Sequence, residues 1–469
     1  PPEPEPPVVT LPPPGTPPAG TVPDGLYGDD IYVIGSFTSA GGQPEARHIA
    51  HWDGVQWRPL GTGLDGAAYA LYAHEGQLYV GGAFLVASGR LVNHIAVWNG
   101  AEFFPLGGGV DYTVTAIVAY EGAIVAAGQF WTASGITTQS VARWDGLTWS
   151  PMGNPSWQQA TALTVYAGRL YAGASNNYCY YIEGNTCVYS GMWYNGTAWN
   201  FMGYGVNAYI LAFAEYDGLL YAGGTFTMAD NYTVNQVGGL AAFNGTHWRP
   251  VDFVAPPGSA VYALLVADGR LYVGGQFAYY HPTLGTLISQ NVAMFNGSAW
   301  APLGAGVPFT VSDLVVAGGH VVASTIHGRL YSWDDATVKW TLLPPSVPGE
   351  IAAMYVQPGC DCASTCSRWA RATGGKRGAG PTANARKGGG PGAGTTCRRV
   401  RGRDAGRRRV ARDAGRPHGQ RHVHAGPGVC GRCHAAALLR QQRRVGRADR
   451  RLRRCVPCCY TEPGPPSRP

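Results

Sequence analysis

The sequence is poor in charge: only 13% of its 469 residues are Asp, Glu, Lys or Arg. It also lacks any apolar run of the roughly 18 residues that a membrane-spanning helix needs, so no membrane span is predicted. The sequence is instead rich in glycine and aromatic residues, with 68 Gly, 26 Tyr and 14 Trp. This composition is typical of many short strands joined by tight turns and not of helices.

Local catalytic signatures are missing as well. The chain has no G-x-S-x-G elbow, no H-E-x-x-H pair, no Walker loop and no Asp-rich calcium loop. On that basis no catalytic residue, metal site or cofactor is predicted, and an enzyme is disfavoured. An active site assembled from distant segments leaves no local motif, so the question of catalysis stays open.

Charge and cysteine are distributed unevenly. Residues 1–357 hold 9 Lys and Arg against 23 Asp and Glu, a net charge of −14, and residues 358–469 hold 26 against 5, a net of +21. Two cysteines precede residue 358 and nine follow it. The chain begins with Pro and shows no signal peptide, which favours a processed or partial product. The sequence therefore divides into regions of unlike composition.

The first region, residues 1–23, contains 11 prolines. Such a segment favours an extended polyproline-II stalk or linker, and a ligand for an SH3-like groove is the less favoured alternative. The last region, residues 358–469, is rich in Arg, Gly and Cys and has no Phe or Ile. Two interpretations of it stay open: a disordered basic tail, or a stretch that results from reading a GC-rich gene in the wrong frame.

The tail also contains two patterns of paired cysteines. Cys430 and Cys433, followed by Cys455 and Cys458, approach the spacing of a zinc ribbon, and C-G-R-C-H matches a haem attachment pattern. The intervening segment offers almost no apolar residue to pack around a metal. Neither site is predicted, and nucleic-acid binding through the tail is disfavoured.

Between these regions, residues 24–357 repeat one unit seven times. Clear examples are AYALYAHEGQLYVGGAF (68–84), ILAFAEYDGLLYAGGTF (210–226) and VYALLVADGRLYVGGQF (261–277), each followed by a variable loop and a signature such as VAMFNGSAWAPLG (292–304). Each unit predicts four short strands, with Asn-Gly or Asp-Gly forming a two-residue turn between the third and the fourth. Four-stranded units at this period indicate a β-propeller.

The strand count predicts how the ring closes. The first unit, GLYGDDIYVIGSF (25–37), begins at its second strand, and a surplus strand, IAAMYV (351–356), follows the seventh. If this strand completes the first blade, the ring has no open edge. We therefore predict an all-β, seven-bladed propeller of four-stranded blades, closed by residues 351–356 beside residues 31–37.

These repeats resemble a known family. The pattern LYVGG-F, a loop, then IA-W-G--W-PLG-G is similar to a propeller-repeat family of secreted and cell-surface proteins, found in bacterial exported proteins and fungal cortical-marker proteins, and to kelch repeats. The resemblance implies fold and location more than activity. The Pro-rich segment joined to such a domain also resembles green-algal surface glycoproteins.

Regular aromatic and acidic positions have a structural interpretation. One aromatic recurs in each fourth strand, and packing between adjacent blades is favoured over a sugar-binding ring: Trp57, Phe103, Trp149, Trp199, Trp248, Trp300 and Trp340. Asp53, Asn99, Asp145 and Asp334 are predicted to be turn residues and not a ring of acids.

The candidate binding residues lie on long loops. In such a blade the second–third and blade-to-blade loops share one face, and here they are long and variable, as functional loops usually are. Aromatic residues with a polar tip suit stacking on sugars or a protein partner. The candidates are Trp131, Tyr178, Tyr180, Tyr181, Tyr279, Tyr280 and His281; packing of these loops on themselves is the alternative.

Two further features favour export. Cys179 and Cys187 are the only cysteines before residue 358 and predict a loop-stapling disulfide. Four sequons predict N-glycosylation at Asn195, Asn231, Asn244 and Asn296. We therefore expect an extracellular or cell-surface glycoprotein, a scaffold that binds other glycoproteins or glycans within a larger assembly. The alternative is a carbohydrate-binding or carbohydrate-active propeller with a site at the axial mouth.

Overall fold

The computed structural model describes residues 29–153, 159–175, 180–182, 186–188, 190–230, 234–235, 237–253, 255–256, 258–280, 287–343 and 346–357. These residues form seven antiparallel sheets, the blades of a propeller; six have four strands, and the four-stranded sheet of blade 4 is extended to six strands by a short hairpin from blade 5. The innermost strands of neighbouring blades contact one another around a closed ring. The predicted all-β, seven-bladed architecture is confirmed.

The first three blades have short strands. Blade 1 contains β1 (Asp30–Gly35), β2 (Ile49–Trp52) and β3 (Trp57–Pro59). Blade 2 contains β4 (Ala68–His74), β5 (Gln77–Gly82), β6 (Val86–Ala87), β7 (Arg90–Leu91), β8 (Ile95–Trp98) and β9 (Phe103–Pro105). Blade 3 contains β10 (Val114–Tyr120), β11 (Ala123–Gly128), β12 (Thr132–Ala133), β13 (Ile136–Thr137), β14 (Val141–Trp144) and β15 (Trp149–Pro151). The pairs β6–β7 and β12–β13 are small separate hairpins.

The other four blades vary more in strand length. Blade 4 contains β16 (Gln159–Tyr166), β17 (Arg169–Ser175), β18 (Tyr180–Ile182), β19 (Thr186–Val188), β20 (Ser190–Tyr194) and β21 (Trp199–Val206). Blade 5 contains β22 (Ile210–Tyr216), β23 (Leu219–Gly224), β24 (Met228–Ala229), β25 (Val234–Asn235), β26 (Leu240–Phe243) and β27 (Trp248–Pro250). Blade 6 contains β28 (Ala260–Ala267), β29 (Arg270–Tyr280), β30 (Leu287–Phe295) and β31 (Trp300–Pro302). Blade 7 contains β32 (Val311–Ala317), β33 (His320–Thr325), β34 (Leu330–Asp334) and β35 (Lys339–Leu343), and β36 (Ile351–Gln357) follows it.

Strand β36 closes the ring as predicted. It pairs antiparallel with β1, with Tyr32 opposite Tyr355 and Val33 opposite Met354, and supplies the missing innermost strand of blade 1. The Tyr32 hydroxyl donates a hydrogen bond to Oε1 of Gln357. Because the first and last strands of the propeller share one sheet, the inner edge of β1 is paired.

The hydrophobic core is divided among the seams between blades. Seven clusters of buried side chains are present, and each combines residues of two neighbouring blades. The fourth-strand aromatics pack in these seams, which confirms their structural interpretation. Several also donate an indole hydrogen bond to the preceding blade, as Trp149 does to the Leu106 carbonyl at 2.7 Å and Trp248 to the Met202 carbonyl at 2.7 Å.

Paired glycines in the second strands allow the blades to approach closely. A Cβ on Gly224 would overlap the carbonyl oxygen of Tyr209, and a Cβ on Gly223 would overlap the Val261 side chain of the next blade. Blade 3 carries alanine, Ala127, in the position of Gly223, and there the next blade carries the smaller Ala160 in the position of Val261. The size of one residue is therefore matched to the size of the other across the seam.

This matching predicts an energetic coupling between Gly223 and Val261. We expect Gly223→Ala to lower the free energy of unfolding by about 1–3 kcal/mol, because the added methyl overpacks the seam. Val261→Ala alone should also destabilise, by leaving a cavity. The double variant copies the Ala127–Ala160 pair. Its loss of unfolding free energy should be clearly smaller than the sum of the losses in the two single variants. Urea unfolding of the four proteins measures the coupling, and strict additivity would contradict the explanation.

The type I′ turn lies between the first and second strands of a blade. In blade 5, Tyr216 pairs with Leu219, and the two residues between them, Asp217 and Gly218, have φ values of 49° and 71°. Positive φ at both central residues defines the type I′ turn, whose twist matches that of the flanking strands.

The turn between the third and fourth strands differs from the prediction. In blade 5, Phe243 pairs with Trp248, so the connection has four residues and not two, and Gly245 alone among them has a positive φ. Oδ1 of Asn244 accepts hydrogen bonds from the N–H groups of the second and third residues that follow it. Asn-Gly and Asp-Gly do mark this hairpin, but they act through a side-chain cap and not through a second positive φ.

Candidate functional site

The connections between strands lie on two faces of the propeller. The face that carries the first–second and third–fourth turns is called the tight-turn face, and the face that carries the second–third and blade-to-blade connections is called the long-loop face. This arrangement follows from the antiparallel order of strands in each blade. The two faces differ in the residues that they expose.

The Asx residues of the tight-turn face are structural, as predicted. Oδ1 of Asp53 accepts hydrogen bonds from the N–H groups of Val55 and Gln56, and the equivalent residues of blades 2 to 6 cap their turns in the same way. In blade 7, Asp334 accepts from the Ala336 N–H and from the Thr337 hydroxyl. The backbone N–H groups of Thr148 and Leu147 also hold the pKa of Asp145 below its usual range. These carboxylates and amides stabilise turns and do not form a ring of acids.

The long-loop face is held by a recurring hydrogen-bonded latch. Oδ1 of Asp65 accepts from the N–H groups of Leu85 and Val86, so the linker between blades 1 and 2 holds the second–third loop of blade 2. Asp111 does the same at the next seam, and Asn207 at the seam between blades 4 and 5. The latch fixes the backbone of these loops, and their side chains are free to vary.

The exposed Tyr and Trp side chains all lie on the long-loop side of the described propeller. They are Tyr69, Tyr112, Trp131, Tyr204 and Tyr209. The exposed large hydrophobic residues at the tight-turn end are aliphatic, such as Val55 and Leu147. Aromatic residues that remain in water on a fixed backbone are candidates for binding, because burying them in a complex gains free energy at little cost in flexibility.

The most exposed Trp and the most exposed Tyr both belong to the seam between blades 2 and 3. Trp131 is 59% exposed and Tyr112 is 57% exposed. Oδ1 of Asp111, the residue before Tyr112, accepts hydrogen bonds from the N–H groups of Trp131 (2.8 Å) and Thr132 (2.9 Å). The Tyr112 ring lies 6.2 Å from the His94 ring, and burial lowers the pKa of His94, which keeps that imidazole neutral near pH 7.

The other predicted binding residues have mixed placements. Tyr178 and His281 lie outside the described residues. The backbone of Tyr180 and Tyr181 belongs to β18 and that of Tyr280 to β29. The structure places the Tyr279 ring in the core, 4% exposed and stacked on Phe253 at 6.0 Å, because β29 and β30 are long enough to bury it. Tyr279 is therefore not among the exposed aromatics, and of the predicted set Trp131 is the residue seen on the surface.

The predicted covalent modification sites lie partly within the described residues. Asn195, Asn244 and Asn296 occupy equivalent turns of blades 4, 5 and 6 on the tight-turn face, where Asn195 and Asn296 are exposed and Asn244 is half-buried. In each turn the hydroxyl of the sequon Thr or Ser donates to the Asn Oδ1. Asn231 and Cys179 lie outside the described residues, and Cys187 pairs through its backbone with Tyr181.

One half-buried carboxylate in an innermost strand was not predicted. Oδ2 of Asp313 accepts a hydrogen bond from the Met354 N–H at 2.6 Å, and Oδ1 accepts from Leu314 N–H at 2.8 Å. Burial outweighs these two bonds and raises the pKa of Asp313 to about 6. The other six blades carry alanine in the equivalent position of the innermost strand: Ala70, Ala116, Ala162, Ala212, Ala263 and Ala353. An alignment of the first strands would have exposed this difference.

The Asp313 carboxylate joins the innermost strand of blade 7 to β36. Both of its oxygens are used by backbone N–H groups, one of them in β36. Among the described residues, no group of three or more His, Cys, Asp and Glu side chains is placed to hold a metal ion. No helix in the described part of the chain is long and apolar enough to cross a membrane.

A recess of about 380 Å³ lies beside the long hairpin of blade 6. It is lined by Pro256, Gly258, Ser259, Gln276, Phe277, Ala278, Gln290 and Asn291. The Asn291 amide is already used, since it accepts from the Phe277 N–H and donates to the Val307 carbonyl. The recess therefore offers fewer free polar groups than its lining suggests.

Comparisons with known proteins add little to this geometry. No protein-family model matches the chain, and no curated protein matches it either. A computationally designed protein, Ika8, is similar in its crystal structure, with 17% identity, a TM-score of 0.39 and coverage of 65% of this chain and 82% of that chain. A Bacteroides fragilis protein provisionally assigned as a 6-phosphogluconolactonase shows 13% identity and a TM-score of 0.39 over 72% of this chain and 100% of its own. Similarity at this level carries no information about activity.

Proposed function

We propose that this protein is an extracellular interaction scaffold that binds surface or matrix glycoproteins or glycans through its long-loop face. The observation that carries the proposal is that all five exposed Tyr and Trp side chains of the described propeller lie on that side. Asp65, Asp111 and Asn207 hold the backbone of the loops, so binding need not order them. A fixed frame with variable exposed aromatics is the usual form of a recognition surface.

The sequons support a secretory route for the protein. Asn195, Asn244 and Asn296 lie on the tight-turn face, so glycans attached there would leave the long-loop face uncovered. A disulfide between Cys179 and Cys187, which we retain as part of the proposal, would suit the same oxidising compartment. Both modifications are consistent with a surface or matrix glycoprotein. The glycans would also distinguish the two faces, because they would cover only the tight-turn face.

Glycan masking of one face tests the proposal. Gly135 lies at the tip of the β12–β13 hairpin with φ at 78°, nothing lies within 4 Å of a Cβ added there, and Ile136 and Thr137 follow it. Gly135→Asn therefore creates a sequon on the long-loop face, and Asn tolerates this backbone conformation. We expect the variant, produced in a eukaryotic secretory host, to lose binding to purified surface and matrix glycoproteins in surface plasmon resonance.

The matched control removes the native sequons. The combined variant Asn195→Gln, Asn244→Gln and Asn296→Gln lacks glycans on the tight-turn face and should bind as the native protein does. Intact mass before and after glycosidase treatment verifies each product. Unchanged binding by the masked protein would refute the assignment of the long-loop face. Native protein that leaves the secretory host without glycans and with free thiols at Cys179 and Cys187 would refute the extracellular route.

A further inference from the structure

We propose that the seam between blades 2 and 3 on the long-loop face binds a neutral pyranose ring of a glycan. Trp131 and Tyr112 would provide stacking surfaces, and Oδ2 of Asp111 would accept hydrogen bonds from sugar hydroxyls. This inference deepens the proposed function and rests on it, since it names the ligand class and the residues of one site on that face.

The aromatic residues at this seam are not needed for the fold. The same latch forms at the seam between blades 1 and 2, where the positions of Trp131 and Tyr112 are held by Leu85 and Gly66. It forms again between blades 4 and 5, with Thr227 and Ala208 in those positions. Since a small or aliphatic residue satisfies the latch, the two large rings left in water at this seam require another explanation.

The latch also fixes the backbone that carries the two rings. Asp111 links the two residues. It directly precedes Tyr112 in the chain, and its Oδ1 accepts a hydrogen bond from the Trp131 N–H. The His94 ring lies beside the Tyr112 ring, with their centroids 6.2 Å apart. The backbone positions are therefore set before any ligand arrives, which lowers the entropic cost of binding.

The polar groups of the seam suit a ligand that donates hydrogen bonds. Oδ1 of Asp111 is used by the latch, and Oδ2 has no hydrogen-bond partner among the described residues. Loop residues 129–140 contain no charged side chain. A ligand for this site must present an apolar face to the rings and hydroxyl donors to one carboxylate oxygen, and a neutral pyranose carries both.

The Pro-rich segment of the chain itself is a less suitable occupant. Residues 1–23 would stack prolines on aromatic rings, as polyproline ligands do. Proline has no N–H, so such a peptide offers the Asp111 carboxylate mainly carbonyl acceptors. Glu3 and Glu5 add negative charge beside an aspartate. The chemistry at Asp111 therefore favours the sugar over the peptide.

The test uses the full chain and defined neutral probes. Hexasaccharides of β-1,4-linked glucose, mannose and xylose are titrated at millimolar concentration by calorimetry, and their contacts are followed by saturation-transfer NMR. A synthetic peptide of residues 1–23 is titrated in parallel. We expect at least one oligosaccharide to bind, Trp131→Ala to weaken it about tenfold or more, and Tyr112→Ala to weaken it less.

Two variants make the test specific. Asp111→Asn preserves the latch, because Asn207 forms the same latch natively, and removes the second carboxylate oxygen; we expect about a threefold to tenfold loss of affinity with unchanged unfolding. Leu85→Ala changes the equivalent of Trp131 in blade 2 and should leave sugar binding unchanged.

Each other outcome overturns the inference. If Trp131→Ala or Asp111→Asn binds the sugar as the native chain does, the site lies elsewhere. If no oligosaccharide binds, or if only the peptide of residues 1–23 binds, the ligand class is wrong. In these cases the masked Gly135→Asn protein still decides the proposed function separately, because its readout is binding of whole glycoproteins to the long-loop face.

Discussion

Ending the chain after residue 349 should abolish cooperative folding, whereas ending it after residue 357 should preserve it. The two products differ by β36, which supplies the innermost strand of blade 1. Within that strand Ile351 is 0% and Met354 6% exposed. Loss of two such side chains costs about 2–5 kcal/mol each, which is comparable with the whole net stability of a domain.

The backbone adds to this loss. Without β36 the inner edge of β1 is unpaired, and the core clusters on both sides of blade 1 lose members. Urea unfolding followed by tryptophan fluorescence and circular dichroism compares the two products. Equal midpoints and slopes would contradict the role of β36 as the closing strand. The product that ends at residue 357 is the matched control, because it retains every described residue.

Replacing Asp313 with Asn should stabilise the propeller at neutral pH and remove a step in its pH dependence. Burial raises the pKa of Asp313 to about 6 from an ordinary value of 3.8. The folded state therefore holds the proton more tightly than the unfolded state between these values. The stability contributed by protonated Asp313 is fully present below about pH 4 and is lost as the pH rises through about 6, a change of about 3 kcal/mol.

The Asn variant isolates this contribution from those of other groups. Its side-chain oxygen still accepts a backbone hydrogen bond, but it carries no charge to bury. We expect native and Asp313→Asn proteins to unfold at similar urea concentrations at pH 4, and the variant to be more stable by up to about 3 kcal/mol at pH 7.5. The quantity to compare is the difference between the unfolding free energies of the two proteins, measured as a function of pH.

Asp145→Asn is the control for this experiment. The Asp145 carboxylate is fully exposed, and hydrogen bonds hold its pKa below the usual range, so any contribution it makes is lost as the pH falls. Its variant copies the Asn found in the equivalent turn of blade 4. Parallel pH profiles of the native and Asp313→Asn proteins would show that the seam does not bury a charge.

The two faces of the propeller give the molecule a division of roles. The tight-turn face repeats one capped turn in every blade and varies little in form. The long-loop face keeps a common latch but changes the residues beside it, from Leu85 in blade 2 to Trp131 in blade 3. The repeated latch keeps the loop backbone in the same position in these blades. The side chains next to it differ, so one blade can expose an aromatic surface that another lacks.

The sequence by itself determined the number of blades, their strand order and the closing strand. These follow from local patterns: alternating apolar residues, paired glycines and Asx-Gly turns recur at one period, and a missing first strand at residue 25 matches a surplus strand at residue 351. The inward role of Trp149 and its equivalents was also predictable, because one large residue per repeat must be buried between sheets. The third–fourth connection was predicted with two residues and has four, but Asn-Gly still marked the correct hairpin.

Only the tertiary structure decided which exceptional residues matter. Asp313 replaces an alanine in one repeat, but its significance depends on Met354, 41 residues later in sequence, which the ring closure brings to 2.6 Å. Tyr112 and Trp131 belong to different connections, and packing decides that they stay exposed while Tyr279 is buried. Periodicity specifies what all the blades share, whereas burial and charge at a seam depend on which two blades meet there.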